Sequence, residues 1–344
     1  MSDFPVTETQ RGDSRTGFFS RPDRVEDKLH VICVLFNPHR YRSRWALYEK
    51  FEKFVQASGA ELWTVEGAFG DRQFTIDRAG DPHYIQVRTS SELWLKENLA
   101  NIGASCLPRN WRYMALMDAD ITLVRPDWVG ETLHQLQHYA VVQMFSEAYD
   151  MTEKYEIVQK HLGFGYCYVH NVQPPQAAGG SYYYPPVKEK GVYLYHPGWA
   201  WAWRRDAFDA VGGFMDHCIT GAADNHMAHS LIGRGRFSAH PSVHPNYMRL
   251  ILEWQRRAER DIQRNIGYVQ GALHHQWHGP KASRRYWDRW KVIVHNQYDP
   301  MSDIRRNWDN LWQLNVHDRR TQKLRDDLRG YFRQRDEDQL HVEP

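Results

Sequence analysis

Residues 113–126 read Tyr113-Met114-Ala115-Leu116-Met117-Asp118-Ala119-Asp120-Ile121-Thr122-Leu123-Val124-Arg125-Pro126. An apolar run ends in two aspartates one residue apart and resumes at Ile121, Leu123 and Val124. A short apolar run of this kind reads as a buried strand, so both carboxylates fall at its carboxyl end. In open α/β sheets that edge is where ligands bind. Two carboxylates so close repel each other unless a cation or hydrogen-bond donors compensate. Hard divalent cations such as Mg2+ and Mn2+ favour oxygen ligands and commonly join a carboxylate to a diphosphate. The stretch predicts a metal and nucleotide-diphosphate site at a strand end.

The surrounding pattern supports a sheet. Leu29–Phe36 is a second apolar run, closed by Asn37-Pro38. From Arg44 to Ala57 the spacing of Trp45, Leu47, Tyr48, Phe51, Phe54 and Val55 predicts a helix, ended by Gly59. Glu61–Glu66 and His83–Val87 read as strands, and Leu93–Ile102 as a helix closed by Gly103. Such alternation over about 120 residues predicts an α/β sandwich with a largely parallel sheet. A dinucleotide-binding dehydrogenase would place G-x-G-x-x-G after the first strand; Asn37-Pro38-His39-Arg40-Tyr41-Arg42-Ser43 stands there instead.

With 344 residues the chain can bury a substantial core, and its net charge of +2 carries no global field for nucleic acid or membrane. From Arg249 to Arg335, however, nineteen Lys/Arg face ten Asp/Glu, either a solvated helical face or a surface for a polyanion. Fourteen Trp, nineteen Tyr and nineteen His offer flat faces suited to sugars or bases. The four cysteines, Cys33, Cys106, Cys167 and Cys218, form no C-x-x-C pair, which argues against a zinc ribbon or disulfide scaffold and fits a reducing cytoplasm. No segment has the length of a membrane-spanning apolar run. The expected organisation is a polar arm over 1–27, a ligand-binding half over 28–145, a second half of the same domain over 146–295, and a charged helical extension over 296–344.

Several downstream segments could carry chemistry. Residues 169–198, rich in Pro, Gly and Tyr and containing Tyr182, Tyr183 and Tyr184, read as a long loop that could close over a ligand. Alternating Trp199, Trp201 and Trp203 place three indoles on one strand face, either core or binding wall. Asp224, in Gly221-Ala222-Ala223-Asp224-Asn225-His226-Met227, suits a helix N-cap or a general base. His274, His275 and His278 are possible metal ligands; with no H-E-x-x-H and a Gly279-Pro280 break, one loop histidine joining Asp120 is the better reading. Lys281, Arg284 and Arg285 could clamp phosphate oxygens or form an exposed basic loop. Asn246–Ile266 and residues 301–331 read as helical, with a short strand from Tyr268 between them.

Taken in order, D-A-D at a strand end, G-W-A-W-A-W-R-R-D-A-F with G-G-F, G-A-A-D-N-H-M, and H-Q-W-H-G-P-K resemble the GT-A nucleotide-sugar glycosyltransferases, closest to soluble ones predicted in phage and bacterial genomes. The resemblance spans about residues 28–295 and implies a Rossmann-like α/β/α sandwich. It implies that Asp120, with Asp118 and His278, holds Mn2+ or Mg2+, that Asp118 contacts metal or ribose, and that Lys281 with Arg284 meets the diphosphate. Asn37 and Glu66 would line a nucleobase pocket, and Asp224 would take the place of the catalytic base. The acid pair usual at that point reads Ala223-Asp224 here. Trp199, Trp201 and Tyr183 would face the acceptor. The implied donor is a UDP-sugar and the acceptor a glycan or small metabolite. Alternatives are a hydroxymethylated pyrimidine in phage-type DNA, suggested by the basic aromatic run from Arg284 to Lys291, and a non-catalytic sugar- or nucleotide-binding protein.

Overall fold

Alternate residues of the first strand, β1 (Leu29–Phe36), point to opposite sides of a sheet, and both sides are covered. Leu29, Val31, Cys33 and Leu35 enter one apolar core, and Ile32 enters another. The computed structural model describes residues 27–339 apart from 77, 79, 173–187, 190, 281, 282, 284–287 and 336. After β1 come α1 (Arg42–Gln56), β2 (Glu61–Phe69), β3 (Tyr84–Thr89), α2 (Lys96–Cys106) and β4 (Tyr113–Met117). Then follow β5 (Ile121–Leu123), α3 (Trp128–His138), β6 (Val141–Gln143), β7 (Glu147–Met151), β8 (Ile157–Gly163) and α4 (Phe164–Val169). The chain continues through β9 (Lys188–Glu189), β10 (Val192–His196), β11 (Ala200–Arg204), α5 (Arg205–Val211), α6 (Ala223–Leu231) and α7 (Pro245–Asp261). It ends with β12 (Ile266–Tyr268), β13 (Ala272–His275), α8 (Asp288–His295), β14 (Ile304–Arg306), β15 (Trp312–Leu314) and α9 (Arg319–Arg333).

The fold is mixed α/β, with a seven-stranded sheet in the order β12-β6-β11-β4-β1-β2-β3. All its pairings are parallel except those of β11, which runs antiparallel to both β4 and β6. On one face α1 and α3 bury Tyr48, Phe51 and Trp128; on the other, α2, α5, α6 and α7 bury Leu99, Phe208, Met227 and Trp254. A second sheet, in the order β5-β13-β7-β8-β10-β9, flanks the first. Only three residues separate its edge strand β5 from the end of β4, so the aspartate pair marks the crossing from one sheet to the other.

Three expected elements differ. The helix expected over Leu93–Ile102 starts at Lys96 and runs through Gly103 to Cys106. Gly103 is there for clearance: a Cβ would lie 2.8 Å from Val65 Cγ2 and 3.0 Å from Ile32 Cγ2. Within the helical span expected over 301–331, β14 and β15 form a hairpin, and helix begins only at Arg319. Asn307 turns the hairpin, its side-chain oxygen accepting from the amides of Asp309 and Leu311. Within 169–198, Val192–His196 is strand, while Tyr182–Tyr184 lie outside the described residues. All four cysteines are free thiols, and among the described residues no helix is long and apolar enough to cross a membrane.

Candidate active site

A cavity of about 690 Å3 opens at the carboxyl ends of β1 and β4, between the starts of α2 and α6 and beside Arg335 and Glu337. Main-chain bonds fix its floor. The amide of Asp118 donates to Trp199 O (2.9 Å), and Gln276 N donates to Asp120 O (2.7 Å). The second bond ties the loop after β13 to the aspartate crossing. The Asp120 carboxylate lies 3.0 Å from His278 Nε2 and 3.8 Å from His275 Nε2, and the two Nε2 atoms are 3.3 Å apart. Ligand atoms of Asp120, His275 and His278 all lie within 4.8 Å of one another.

Behind His275 stands Asp150 on β7. Its carboxylate takes bonds from His275 Nδ1 (2.7 Å) and His161 Nε2 (2.6 Å). Burial opposes that charge, but the two imidazoles hold the acid well below the usual carboxylate range. An ionised carboxylate only accepts, so Nδ1 of His275 carries a proton, and its Nε2 is the ring nitrogen that faces Asp120. One oxygen and two imidazole nitrogens facing a common point fit a divalent cation that accepts nitrogen, such as Mn2+ or Zn2+, better than Mg2+. His274 takes no part: strand alternation turns it to the other face, where its ring meets Tyr149 edge-on at 6.2 Å. The structure thus brings His275, from the end of β13, to Asp120 alongside the expected loop histidine His278.

Asp118 is outside that set. It forms an ion pair with Lys96, the first residue of α2. Burial works against the Lys96 ammonium, but Asp118, Glu97 and Asp224 push its pKa above the ordinary value. Asp118 itself is raised, chiefly by burial. Lys96 is thus a fixed cation beside the aspartate pair.

Asp224 lies in the first turn of α6, so it is not the N-cap; Ala222 holds that position, in the left-handed region (φ 81°). Its carboxylate faces the cavity against Gly198, where a Cβ would come within 2.8 Å of Oδ2. The buried Glu97 lies alongside: both acids line a small adjoining recess of about 30 Å3. Burial raises Glu97 to about 7 against the pull of Lys96. Glu97 of α2 is thus the second acid at this recess beside Asp224.

The remaining expectations divide. Trp199 lines the cavity, stacked on His196 (ring centroids 3.5 Å) and 5.1 Å from the His275 ring. Trp201 and Trp203 point the other way into the core beneath, so the three indoles do not share a face. The positive φ of Trp199 (76°) breaks the alternation that the spacing predicts. Trp201 reaches only the small recess, with Nε1 donating to Pro197 O. Asn37 lines the cavity, but its amide both donates to Tyr41 O and accepts from Tyr41 N, closing a turn. Glu66 does not line it; its carboxylate accepts from the amides of Thr75 and Ile76. Tyr183, Lys281 and Arg284 lie outside the described residues.

Sequence reading missed Lys96, Glu97, Asp150 and the C-terminal residues Arg335 and Glu337, which also line the cavity. Lys96 and Glu97 read as an ordinary charged helix start. Asp150 carried a weak signal in Tyr149-Asp150-Met151, and Glu337 none.

No family model matches the chain, and no curated protein does. Solved structures give distant likenesses. The catalytic domain of Drosophila β1,4-galactosyltransferase 7, solved with xylobiose, is 9% identical over 86% of this chain and 98% of its own, with a TM-score of 0.38. Mannosyl-3-phosphoglycerate synthase from Rubrobacter xylanophilus is 11% identical over 85% of each chain (TM-score 0.36). S. aureus TarS 1–349 is 8% identical over 88% of this chain and 71% of its own (TM-score 0.34). Likenesses this distant say nothing of the chain's chemistry, which rests on the residues of the cavity.

Proposed function

We propose that the chain is a metal-dependent glycosyltransferase of the GT-A kind, moving a sugar from a nucleotide-diphosphate donor to an acceptor hydroxyl. The observation that carries this reading is the convergence of Asp120, His275 and His278 at the end of β4, in one cavity with Lys96 and Asp224. The motif resemblance points to a UDP-sugar as donor and a glycan or small metabolite as acceptor. A divalent cation held by Asp120, His275 and His278 would supply positive charge to the departing diphosphate. Lys96 stands ready as a second, permanent cation near the same edge. Asp224 takes the proton of the acceptor hydroxyl as that oxygen bonds to the anomeric carbon. The bond from that carbon to the phosphate oxygen breaks, and its electron pair leaves with the diphosphate. Trp199, one face stacked on His196, would form part of the apolar wall against the sugar.

The test is a thermal-shift screen of nucleotide sugars with Mn2+, followed by donor hydrolysis and transfer assays with and without the metal. A cognate donor should raise the melting temperature, and Asp120→Ala should remove metal-dependent turnover. Asp224→Asn should lower kcat about 100-fold or more while donor KM moves only a few-fold. If no nucleotide sugar stabilises the protein, or Asp120→Ala turns over like the wild type, the reading is wrong. Donor binding without hydrolysis or transfer would favour a non-catalytic binding protein.

A further inference from the structure

The last turn of α9 does not end the fold. Residues 335 and 337–339 lie at the rim of the cavity and are fastened at both sides. Asp338 accepts from the amides of Arg42 (3.0 Å) and Ser43 (2.9 Å), the free donors at the start of α1. Trp277, beside the histidine loop, donates Nε1 to Gln339 O at 2.9 Å. Between these fastenings sits Glu337, 3% exposed, with Arg44 and Arg335 on its carboxylate. Its Oε2 faces His278 Nδ1 at 3.8 Å.

The two histidines are therefore built alike. Each turns Nε2 toward Asp120 and Nδ1 toward a buried carboxylate, Asp150 for His275 and Glu337 for His278. Such outer carboxylates fix the tautomer and ring orientation of a ligating histidine and raise its basicity. For His275 the contact is a hydrogen bond. For His278 it is longer than one, so what acts across it is charge, only weakly screened in a buried site.

We infer that Glu337 is a positioning residue for His278, and that the C-terminal segment thereby completes the cation site. This rests on the metal reading of Asp120, His275 and His278 proposed above. Arg44 and Arg335 have a part in it beyond neutralisation: they keep Glu337 ionised and pinned in a place where a lone carboxylate would be costly. The nearest plain alternative is that Glu337 merely glues the segment down.

The experiment measures Mn2+ affinity of the full chain by the EPR signal of free Mn2+, with no donor or turnover involved. Metal-free melting temperatures are recorded alongside. Glu337→Gln should weaken Mn2+ binding about 10-fold or more, and Glu337→Asp should restore it to within a few-fold. Asp338→Asn loosens the same segment without facing His278 and should leave the affinity within about threefold. If the wild type binds no Mn2+, the metal reading itself fails and this inference with it. If the wild type binds and Glu337→Gln matches it, or if Glu337→Gln and Asp338→Asn weaken binding equally, the positioning role is overturned and the metal reading stands. Should Glu337→Gln fail to fold, Glu337→Asp decides: affinity near the wild type supports the role, and a loss as large as 10-fold sinks it.

Discussion

Glu97 is the acid whose behaviour departs furthest from what its neighbours in sequence suggest. An acid in the first turn of a helix ordinarily sits exposed and ionised, favoured by the helix dipole. Here it is 4% exposed, and burial lifts it from 4.5 to about 7. A raised folded-state value means the neutral form is the one the fold prefers. The stability it contributes is complete below about pH 4.5 and is lost as pH rises through about 7. Glu97→Gln, melted in EDTA from pH 4 to pH 8, should therefore flatten the decline over that window and melt higher at pH 8. An unchanged slope would mean that Glu97 is ionised like any surface acid. Residues of this kind were not legible in the sequence, because burial at a helix start is decided by what packs over it. Asp118 and Asp120 were legible, since a strand end and a pair of like charges are local facts. The partners that divide their labour, Lys96 for one and two histidines for the other, come from elements far along the chain.

At the scale of elements, apolar periodicity located β1 to the residue and the first helix to within two residues. It failed where a glycine or a backbone inversion had a tertiary cause. Gly103 reads as a helix stop, but it is a point where α2 passes close over Ile32 of β1 and Val65 of β2. Gly103→Ala should gain about 1 kcal/mol in helix propensity and lose about 1–3 kcal/mol to overpacking against Val65 and Ile32. The expected net is a loss of roughly 1 kcal/mol in urea unfolding; a more stable variant would show that those side chains yield freely. The Trp199-Trp201-Trp203 alternation misled for a similar reason, since no propensity announces a tryptophan in the left-handed region.

For the molecule as a whole, strand–helix alternation was enough to give an α/β sandwich. It could not give the second sheet, whose pairing of Leu123 with Leu273 joins segments 150 residues apart. Nor could it give the place of Phe332, Arg335 and Glu337 on the cavity wall, since they lie in a stretch that reads as a charged helical extension. The candidate cation ligands straddle this architecture: Asp120 at the crossing between sheets, His275 at the end of β13, His278 in the loop beyond. A cation bound there would add a link between parts already joined by the β5-β13 pairing and by the main-chain bond from Gln276 to Asp120. Saturating Mn2+, at about 100 times its dissociation constant, should stabilise the protein by about 2.7 kcal/mol. EDTA should reverse the gain and Asp120→Ala abolish it; a melting temperature indifferent to Mn2+ would contradict the arrangement.

Tyr195, Trp199 and Ala222 all line the cavity with positive φ, at 57°, 76° and 81°. A non-glycine residue held so costs about 1–3 kcal/mol and persists only where its surroundings allow nothing else. Around this opening the backbone has already given up its freedom. At these three positions a guest meets backbone that needs no further ordering, and the entropy spent there on shaping a binding site is left to hold the guest.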